Sequence, residues 1–281
     1  MYSATGLCLA RKLSLLQAAG WETITEAQLS LFHHIDPKGT RLTTLAARAT
    51  LTKSSMIELA DKAEHQGLVC RTPDPEDGRA KLITPTEAGL RFMGVLRVAI
   101  DQTEQWMVST TSPAFIADLK QNLGHYIPAT ADHDPYRTDL AATGHSAARA
   151  LSLSARRFAA DALSVVHEHG YNPVTASDLA LLRNLDLTGS RLTDLALRAR
   201  MTKQSMRELV DRAEAQGLVD RAVDPHDARA KLIAFTSEGL RFLDQMRRGL
   251  AIAEDKLRAA TDAAFVETLK AGLTRFILEG H

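Results

Sequence analysis

Cysteine and aromatic residues are scarce in this chain of 281 residues, and long apolar runs are missing. Two cysteines cannot build a disulfide framework. No apolar stretch approaches the roughly 18 residues that a membrane helix requires, and the N-terminus lacks the charged-then-apolar pattern of a signal peptide. We therefore expect a cytoplasmic protein with no membrane partner. The 34 basic residues equal the 34 acidic residues, so the net charge alone does not indicate a polyanionic partner.

The chain contains the same domain twice. Residues 41–92 and 191–242 align without a gap at an offset of 150, and 34 of these 52 positions are identical. Two long copies do not fit a solenoid, whose repeats are shorter, about 20–50 residues each. The sequence therefore predicts a tandem duplication, with a first copy at 1–127, a linker rich in Pro, Ala, Thr and Asp at 128–146, and a second copy at 147–281.

Helical spacing dominates each copy, and one short segment alternates as strands do. Thr52 is a suitable N-cap because its hydroxyl can accept a backbone N–H, and Gly67 suits the end of the same helix. In the first copy the predicted helices are 4–19, 25–35, 42–49, 52–65, 86–109 and 113–126, and the predicted strands are 68–72 and 80–84, joined by a hairpin tip at 73–78. The same order recurs in the second copy and ends with a helix at 262–278.

A short helix, a turn, a second helix and a two-stranded hairpin form a winged helix-turn-helix. Two motifs carry a closer resemblance. They are LADKAEHQGLVCR at 59–71 with LVDRAEAQGLVDR at 209–221, and DPEDGRAKLITPTEAG at 74–89 with DPHDARAKLIAFTSEG at 224–239. On these motifs the chain resembles the MarR-type bacterial transcriptional regulators over nearly all of both copies. In that family the stretch comprises the recognition helix, the wing and the start of a long dimerisation helix.

The resemblance implies a mainly α fold, in which two winged helix-turn-helix domains share a helical dimerisation region. It also implies an obligate dimer that binds an operator as a repressor or an activator, often with a small-molecule effector between the dimerisation and DNA-binding parts. Family members are single-copy chains, whereas here a linker joins two copies. We therefore expect a monomer that acts as an intramolecular pseudo-dimer on double-stranded DNA, in the role of a repressor.

The recognition helix of each copy should bury one face and present the other. Met56, Leu59 and Ala63, spaced three and four apart, form the predicted inward face of the first copy. Polar residues in the first turns can then reach base edges and phosphates when the helix enters a major groove. The residues predicted to contact DNA from the two helices are Thr52, Lys53, Ser54, Ser55, Ile57, Arg200, Thr202, Lys203, Gln204, Ser205 and Arg207.

The two copies differ on this outward face. Gln204 replaces Ser54, and Arg207 replaces Ile57. Glutamine can bond adenine and arginine can bond guanine, while isoleucine offers only an apolar contact, such as one to a thymine methyl. Drift on a solvated surface is the alternative explanation. We hypothesise two unlike half-sites in the operator, with the second copy the stronger reader.

The wing carries one arginine in each copy, Arg79 and Arg229, two residues beyond Asp77 and Asp227. Residues two apart on a strand share a face, so each carboxylate can hold its guanidinium extended. A narrow A·T-rich minor groove attracts such an arginine. A local ion pair that stabilises the turn is the structural alternative, and the family resemblance favours the DNA contact.

Other residues that bear chemistry have plainer explanations. Glu58 and Glu208 are expected to pair with Lys62 and Arg212 at i+4 rather than to accept from cytosine. Cys8 could be a redox sensor, because some MarR-like peroxide sensors use a cysteine in the first helix, but a small buried hydrophobe is the commoner role. The histidine pairs at 33–34 and 167–169 point their rings to different sides, so no metal site is predicted.

The residues favour a sequence-specific DNA-binding regulator without a cofactor and without enzymatic activity. No nucleophile–base pair, phosphate-cradling glycine loop or metal-ligand cluster occurs at a sensible spacing. The alternative is a ligand-binding or protein-interaction protein that has kept the fold and lost DNA affinity. Near-neutral charge favours this alternative, because residues 41–91 carry eight basic against seven acidic side chains and residues 191–241 carry ten against eight.

Overall fold

The computed structural model describes residues 1–49, 51–127, 146–171, 174–175, 178–199, 201–224 and 227–279. For residues 2, 224, 227–230 and 263 this description covers the backbone alone. The chain divides into two compact units. Unit 1 comprises Met1–Ala155 and Ala260–His281, and unit 2 comprises Arg156–Ala259. This division does not follow the repeat, because unit 1 includes the beginning and the end of the second copy.

The order of elements is the same in the two copies. The first copy contains α1 Tyr2–Ala18, α2 Glu26–Phe32, β1 Thr40–Arg41, α3 Leu42–Ala49, α4 Lys53–His65, β2 Val69–Asp74, β3 Asp77–Pro85, α5 Glu87–Thr110 and α6 Pro113–Tyr126. The second contains α7 Ala147–Glu168, α8 Leu179–Leu182, β4 Ser190–Arg191, α9 Leu192–Arg198, α10 Lys203–Ala215, β5 Val219–Asp224, β6 Asp227–Phe235, α11 Ser237–Ala260 and α12 Ala263–Glu279. The predicted mainly helical architecture is therefore observed. No helix in the described part of the chain combines the length and the apolar character needed to cross a membrane.

Helix boundaries follow the capping residues. The Thr86 hydroxyl accepts the Gly89 N–H at 3.1 Å and begins α5, and the Ser112 hydroxyl accepts the Phe115 N–H at 3.1 Å and begins α6. At the other end, Gly67 takes φ 71° just after α4, a left-handed conformation that glycine adopts without steric cost. These local interactions explain why the predicted bounds of α5 and α6 agree with the structure to within a residue or two.

Each wing is part of a three-stranded antiparallel sheet, in the order β1-β3-β2 in unit 1 and β4-β6-β5 in unit 2. The predicted hairpin tip at 73–78 is too long, since β2 continues to Asp74 and β3 begins at Asp77. Pro73 is therefore a strand residue, paired with Lys81. It is tolerated because β2 is an edge strand, where a missing N–H breaks no ladder. Strand β1 was not predicted, because two residues are too short to show alternation.

Unit 1 contains a helical layer, formed by α1, α5, α6 and α12, beside its winged helix. Helix α12 packs against α1, α5 and α6. Within this helical layer the Trp106 and Phe276 rings lie 4.7 Å apart. Gly272 of α12 lies so close to the Phe115 ring that a Cβ there would overlap it. The Glu104 carboxylate of α5 accepts the Ala147 N–H at 3.0 Å, so the first residue of α7 is also tied to the helical layer.

Unit 2 builds its core around the winged helix and the facing sides of α7 and α11. Gly249 of α11 approaches the Ala162 carbonyl of α7 so closely that a Cβ would collide with it. The Tyr171 ring packs edge-on against Phe242 at 5.2 Å, and its hydroxyl donates to Glu238 at 2.7 Å. These contacts pack α11 against α7 and against Tyr171, which follows α7.

Candidate nucleic-acid interface

The predicted recognition helices are α4 in unit 1 and α10 in unit 2. A capping threonine organises the N-terminal turn of each. Thr52 Oγ1 accepts the Ser55 N–H at 3.1 Å and lies 2.9 Å from the Ser55 hydroxyl. Thr202 and Ser205 repeat this arrangement at the same distances. The predicted caps are therefore confirmed. The structure also brings the predicted Thr52, Ser54 and Ser55 hydroxyls together, with Ser54 Oγ 3.0 Å from Thr52 Oγ1.

The outward face carries exposed side chains in both units. In unit 1 Lys53 and Ser54 are exposed, and Ile57 is 37% exposed although it is apolar. The predicted residues that are exposed on the helix of unit 2 are Lys203, Gln204 and Arg207. Among the residues that the structure describes, Lys53, Lys203 and Arg207 have no ion-pair partner. The predicted contact Arg200 lies outside the described residues.

The inward face is close to the one predicted. Met56 and Ala63 are fully buried, and their counterparts Met206 and Ala213 are at most 2% exposed. Leu59 was predicted to be core but is only half-buried, and Ala60 is buried instead. The buried side of α4 is thus rotated by about one position, because 3.6 residues per turn allow either neighbour to face the core.

An arginine from the wing joins the recognition helix to the sheet in each unit. Arg71 of β2 donates to both Asp61 and Glu64 of α4. Arg221 of β5 bonds Asp211 and Glu214 of α10 in the same way. We call each set a helix–wing brace. The braces were not predicted, although an arginine that recurs 150 residues on beside two recurring carboxylates was a signal in the sequence.

The base of the first wing is held by Asp74 rather than by Asp77. Asp74 is buried and receives Arg41 Nε of β1 at 2.5 Å and the Glu76 N–H at 2.9 Å. The backbone N–H of Glu76 and the Arg41 guanidinium together hold the pKa of Asp74 below its ordinary value. The first aspartate of the repeated wing motif therefore closes the hairpin.

Asp77 does not hold the Arg79 guanidinium. Its carboxylate accepts the backbone N–H of Arg79 at 3.1 Å instead, because an Asp side chain readily bonds the amide two residues on. Arg79 is exposed, and its guanidinium has no ion-pair partner in the described parts of the chain. The counterparts Asp227 and Arg229 lie in β6, where the structure describes their backbone but not their side chains.

The expected i+4 pairs of Glu58 and Glu208 are not formed. Neither glutamate has an ion-pair partner in the portion of the chain that the structure describes, and both are exposed. Arg212 pairs with Asp178 instead, at 2.8 Å, and Asp178 also accepts from the Thr175 hydroxyl at 2.7 Å. A buried carboxylate attracts the arginine more strongly than an exposed one does. In the first copy Gln28, the equivalent of Asp178, instead donates to Gln66, just after α4, at 2.5 Å, so the corresponding pair is neutral.

Cys8 is enclosed within unit 1, where its thiol contacts Met107 Sδ at 3.6 Å. It is 1% exposed, and burial raises the pKa of its thiol to about 12. At neutral pH the sulfur is therefore protonated and is a poor nucleophile. This environment is that of a small buried hydrophobe rather than that of a redox sensor.

The histidines singled out from the sequence have local environments that explain them. His167 Nε2 lies 2.7 Å from the Val174 carbonyl, and His169 Nδ1 lies 2.7 Å from the Val165 carbonyl. Burial, followed by the nearby charges of Lys12 and Arg149, lowers the pKa of His33 to about 3. No cluster of three or more His, Cys, Asp or Glu side chains that could hold a metal ion occurs among the described residues.

Comparison with known proteins gives a family match in the second copy. The model of the MarR family matches residues 173–230, which include α10 and most of the wing. The resemblance to MarR-type regulators is thereby supported for this winged helix, while the tandem arrangement lies beyond the match. No curated protein matches the sequence significantly.

Several solved structures are similar to about half of this chain. CouR from Rhodococcus jostii RHA1, solved with p-coumaroyl-CoA, is 25% identical over 46% of this chain and 89% of its own, with a TM-score of 0.39. A probable transcriptional regulator from Pseudomonas aeruginosa is 27% identical over 45% of this chain and 92% of its own, with a TM-score of 0.35. A MarR-family regulator from Rhodococcus sp. RHA1 is 24% identical over 44% and 88%, with a TM-score of 0.38.

Proposed function

We propose that this protein is a sequence-specific DNA-binding transcriptional regulator, a repressor, that reads double-stranded DNA through two winged helices in one chain. One observation carries the proposal. In each unit a capped helix with an exposed polar face stands beside a hairpin, and a helix–wing brace links the two. The family match to residues 173–230 supports the same function for the second winged helix.

The recognition helices would enter the major groove by their first turns. There Lys53, Ser55 and their equivalents Lys203 and Ser205 can donate to phosphates, and Gln204 can reach base edges. Arg79 is exposed without an ion-pair partner among the described residues, so its guanidinium is available to a minor groove. The different outward residues of the two units support the hypothesis of two unlike half-sites.

The single chain would supply both halves of the dimer that an operator normally requires. Support comes from the helical layer of unit 1, in which α12 of the second copy packs against α1, α5 and α6 of the first. Fused copies that share such a layer can bind two half-sites without a second chain. A small-molecule effector remains part of the proposal only through the family resemblance.

Selection of bound fragments from random duplex DNA tests the function and the asymmetry together. We expect a recovered site with two half-sites of different sequence, and a complex whose mass corresponds to one chain of 30.7 kDa per duplex. The double variant Arg79→Ala with Arg229→Ala should weaken binding several-fold or more. A complex of two chains would refute the internal dimer, and identical half-site preferences would refute the asymmetry.

A second candidate function is ligand binding or protein interaction without DNA binding. Glu58 and Glu208 favour it, because both carboxylates are exposed without an ion-pair partner among the described residues and would be repelled by phosphates. Recovery of no enriched sequence, together with the absence of salt-sensitive binding to bulk DNA, would support this candidate over the regulator.

A further inference from the structure

An open cleft of about 400 Å³ lies between the recognition helix and the wing of unit 2. Its lining residues are Leu192, Arg207, Asp211, Arg221, Lys231 and Ile233. They come from α9, α10 and both wing strands, so the cleft occupies the angle between the helix and the hairpin. Lys231 was not among the residues singled out from the sequence.

The charges in this cleft favour an anion. Arg221 is already occupied by Asp211 and Glu214 in the brace. The exposed cations Arg207 and Lys231 have no ion-pair partner among the residues that the structure describes. Two cations therefore face a cleft whose lining carboxylate, Asp211, is paired with Arg221, so an anion that enters meets no uncompensated negative charge from the lining.

The position of the cleft, between α10 and the hairpin, indicates the class of anion. When a recognition helix lies in a major groove and the wing reaches the adjacent minor groove, the sugar–phosphate backbone that separates the grooves must pass between them. The cleft lies in that interval. We propose that it binds a phosphate of the DNA backbone, held by Arg207 and Lys231, an assignment that rests on the proposed DNA-binding function.

The first copy supplies a natural comparison. At the equivalent positions it has Leu42, Ile57, Asp61, Arg71, Lys81 and Ile83. The two sets differ only where Ile57 replaces Arg207. The phosphate site therefore has both of its cations in unit 2 alone, and the second half of the protein makes the stronger contact with the backbone. Arg207 on this view positions the protein on DNA rather than reading a base.

The salt dependence of DNA binding tests this assignment, because each neutralised phosphate contributes about 0.9 to the slope of log K against log salt. The probes are the duplex recovered by selection and a random-sequence duplex of equal length. Arg207→Ile, which converts the cleft to the residues of unit 1, and Lys231→Ala should each lower the slope on both duplexes, and the double variant, which leaves the phosphate without either cation, should lower it by about 0.9. Between 50 and 200 mM salt this is a change of about 3.5-fold in the relative affinity.

Arg97→Ala is the matched control, since Arg97 is an exposed arginine of α5 without an ion-pair partner in the described chain. It should leave the slope unchanged, and thermal unfolding should show that all of these variants are folded. Slopes that do not fall for Arg207→Ile and Lys231→Ala would overturn the assignment. So would a changed base preference for Arg207→Ile at an unchanged slope, because Arg207 would then read a base.

Binding of inorganic phosphate to the free protein is the remaining measurement. Such binding with no effect of either variant on the DNA slope would identify a site for free anions and would overturn the assignment. If the wild-type chain binds no DNA, the proposed function and the phosphate site fail together. If it binds DNA but the slopes are insensitive to both variants, the phosphate site alone is wrong.

Discussion

Some charged side chains of each recognition helix are paired with the wing, and others have no ion-pair partner among the described residues, which leaves them to different roles. Asp61 and Glu64 are engaged by Arg71 in the brace of unit 1, whereas Lys53 of the same helix has no ion-pair partner among the described residues. Residue types alone cannot separate these roles, because both kinds of residue occur at exposed positions of one amphipathic helix. The separation depends on which side chains the wing strand can reach.

Asp178 should make the second copy sensitive to acid. Burial raises the pKa of this carboxyl, but hydrogen bonds from Thr175 and then Arg212 outweigh the effect and leave the pKa below its ordinary value. A depressed pKa means that Asp178 stabilises the fold above the unfolded-state value of about 3.9 and that this contribution is lost as the pH falls through the folded-state pKa. Asp178→Asn should therefore lower the free energy of unfolding at pH 7 by about 1 kcal/mol or more.

Urea unfolding as a function of pH measures this effect. The difference between the wild type and Asp178→Asn should shrink as the pH falls below about 3.9, because both chains then carry a neutral side chain. Gln28→Ala is the matched control, since it removes the hydrogen bond to Gln66 at the equivalent buried site of the first copy, which carries no carboxylate, and its effect on the free energy of unfolding should not change with pH in this way. A difference between wild type and Asp178→Asn that persists unchanged to about pH 2 would contradict the assignment.

Cys8 should react slowly with thiol reagents in the folded chain. Its thiol is buried with a pKa of about 12, and the thiolate is the reactive form. Alkylation by iodoacetamide at pH 7 should modify the half-buried Cys70 first and Cys8 only after unfolding, as read by peptide mass spectrometry. Cys70→Ser provides the control in which native labelling should nearly disappear. Rapid native labelling of Cys8 would restore the redox hypothesis.

At the scale of elements, the junction between α4, β2 and α5 depends on one small residue in each copy. A Cβ at Gly89 would collide with the Leu68 carbonyl, and one at Gly239 with the Leu218 carbonyl. Because backbone cannot move aside as a side chain can, Gly89→Ala should lower the free energy of unfolding by about 1–3 kcal/mol. Gly94 of the same helix faces open space, so Gly94→Ala should be neutral or stabilising by up to about 1 kcal/mol.

Chemical denaturation of the two glycine variants decides between packing and helix propensity. If Gly89→Ala is as stable as Gly94→Ala, then propensity governs both positions and the close approach of the two elements has no energetic importance. Gly89 recurs in the second copy as Gly239, whereas Asp244 stands at the position of Gly94. The close packing of the first turn of α5 against the loop after α4 explains this difference.

The elements themselves were largely predictable, for a local reason. The bounds of α6 agree with the prediction at both ends, because Ser112 and Pro113 specify the start of the helix through neighbouring atoms. Strand β1 and the short tip of the wing were missed, because both depend on pairing with β3. A two-residue strand has no periodicity, and Pro73 indicates a turn unless its edge position is known.

At the scale of the whole molecule, Phe276 tests whether the second copy completes the core of unit 1. Its side chain is 1% exposed and packs on Trp106 of the first copy. Phe276→Ala should lower the free energy of unfolding by about 3–5 kcal/mol, because a large buried ring leaves a cavity. Leu278 of the same helix is 75% exposed, so Leu278→Ala should change stability by no more than about 0.5 kcal/mol.

Equilibrium unfolding of both variants, followed by tryptophan fluorescence at Trp106 and Trp21, gives the comparison. Equal, small effects would mean that α12 contributes little to unit 1. A large effect of Phe276→Ala alone would agree with a helical layer built from both copies.

The sequence by itself determined the duplication, the order of helices and strands, the capping threonines and the outward face of each recognition helix. These features depend on residues close together in the chain or on the comparison of one copy with the other. The tertiary structure alone decided that Arg71 and Arg221 brace the wing, that Arg212 bonds Asp178, and that α12 completes unit 1. Such contacts join residues distant in the chain, and the relative energies of competing partners are set by burial, which no local pattern of residues specifies.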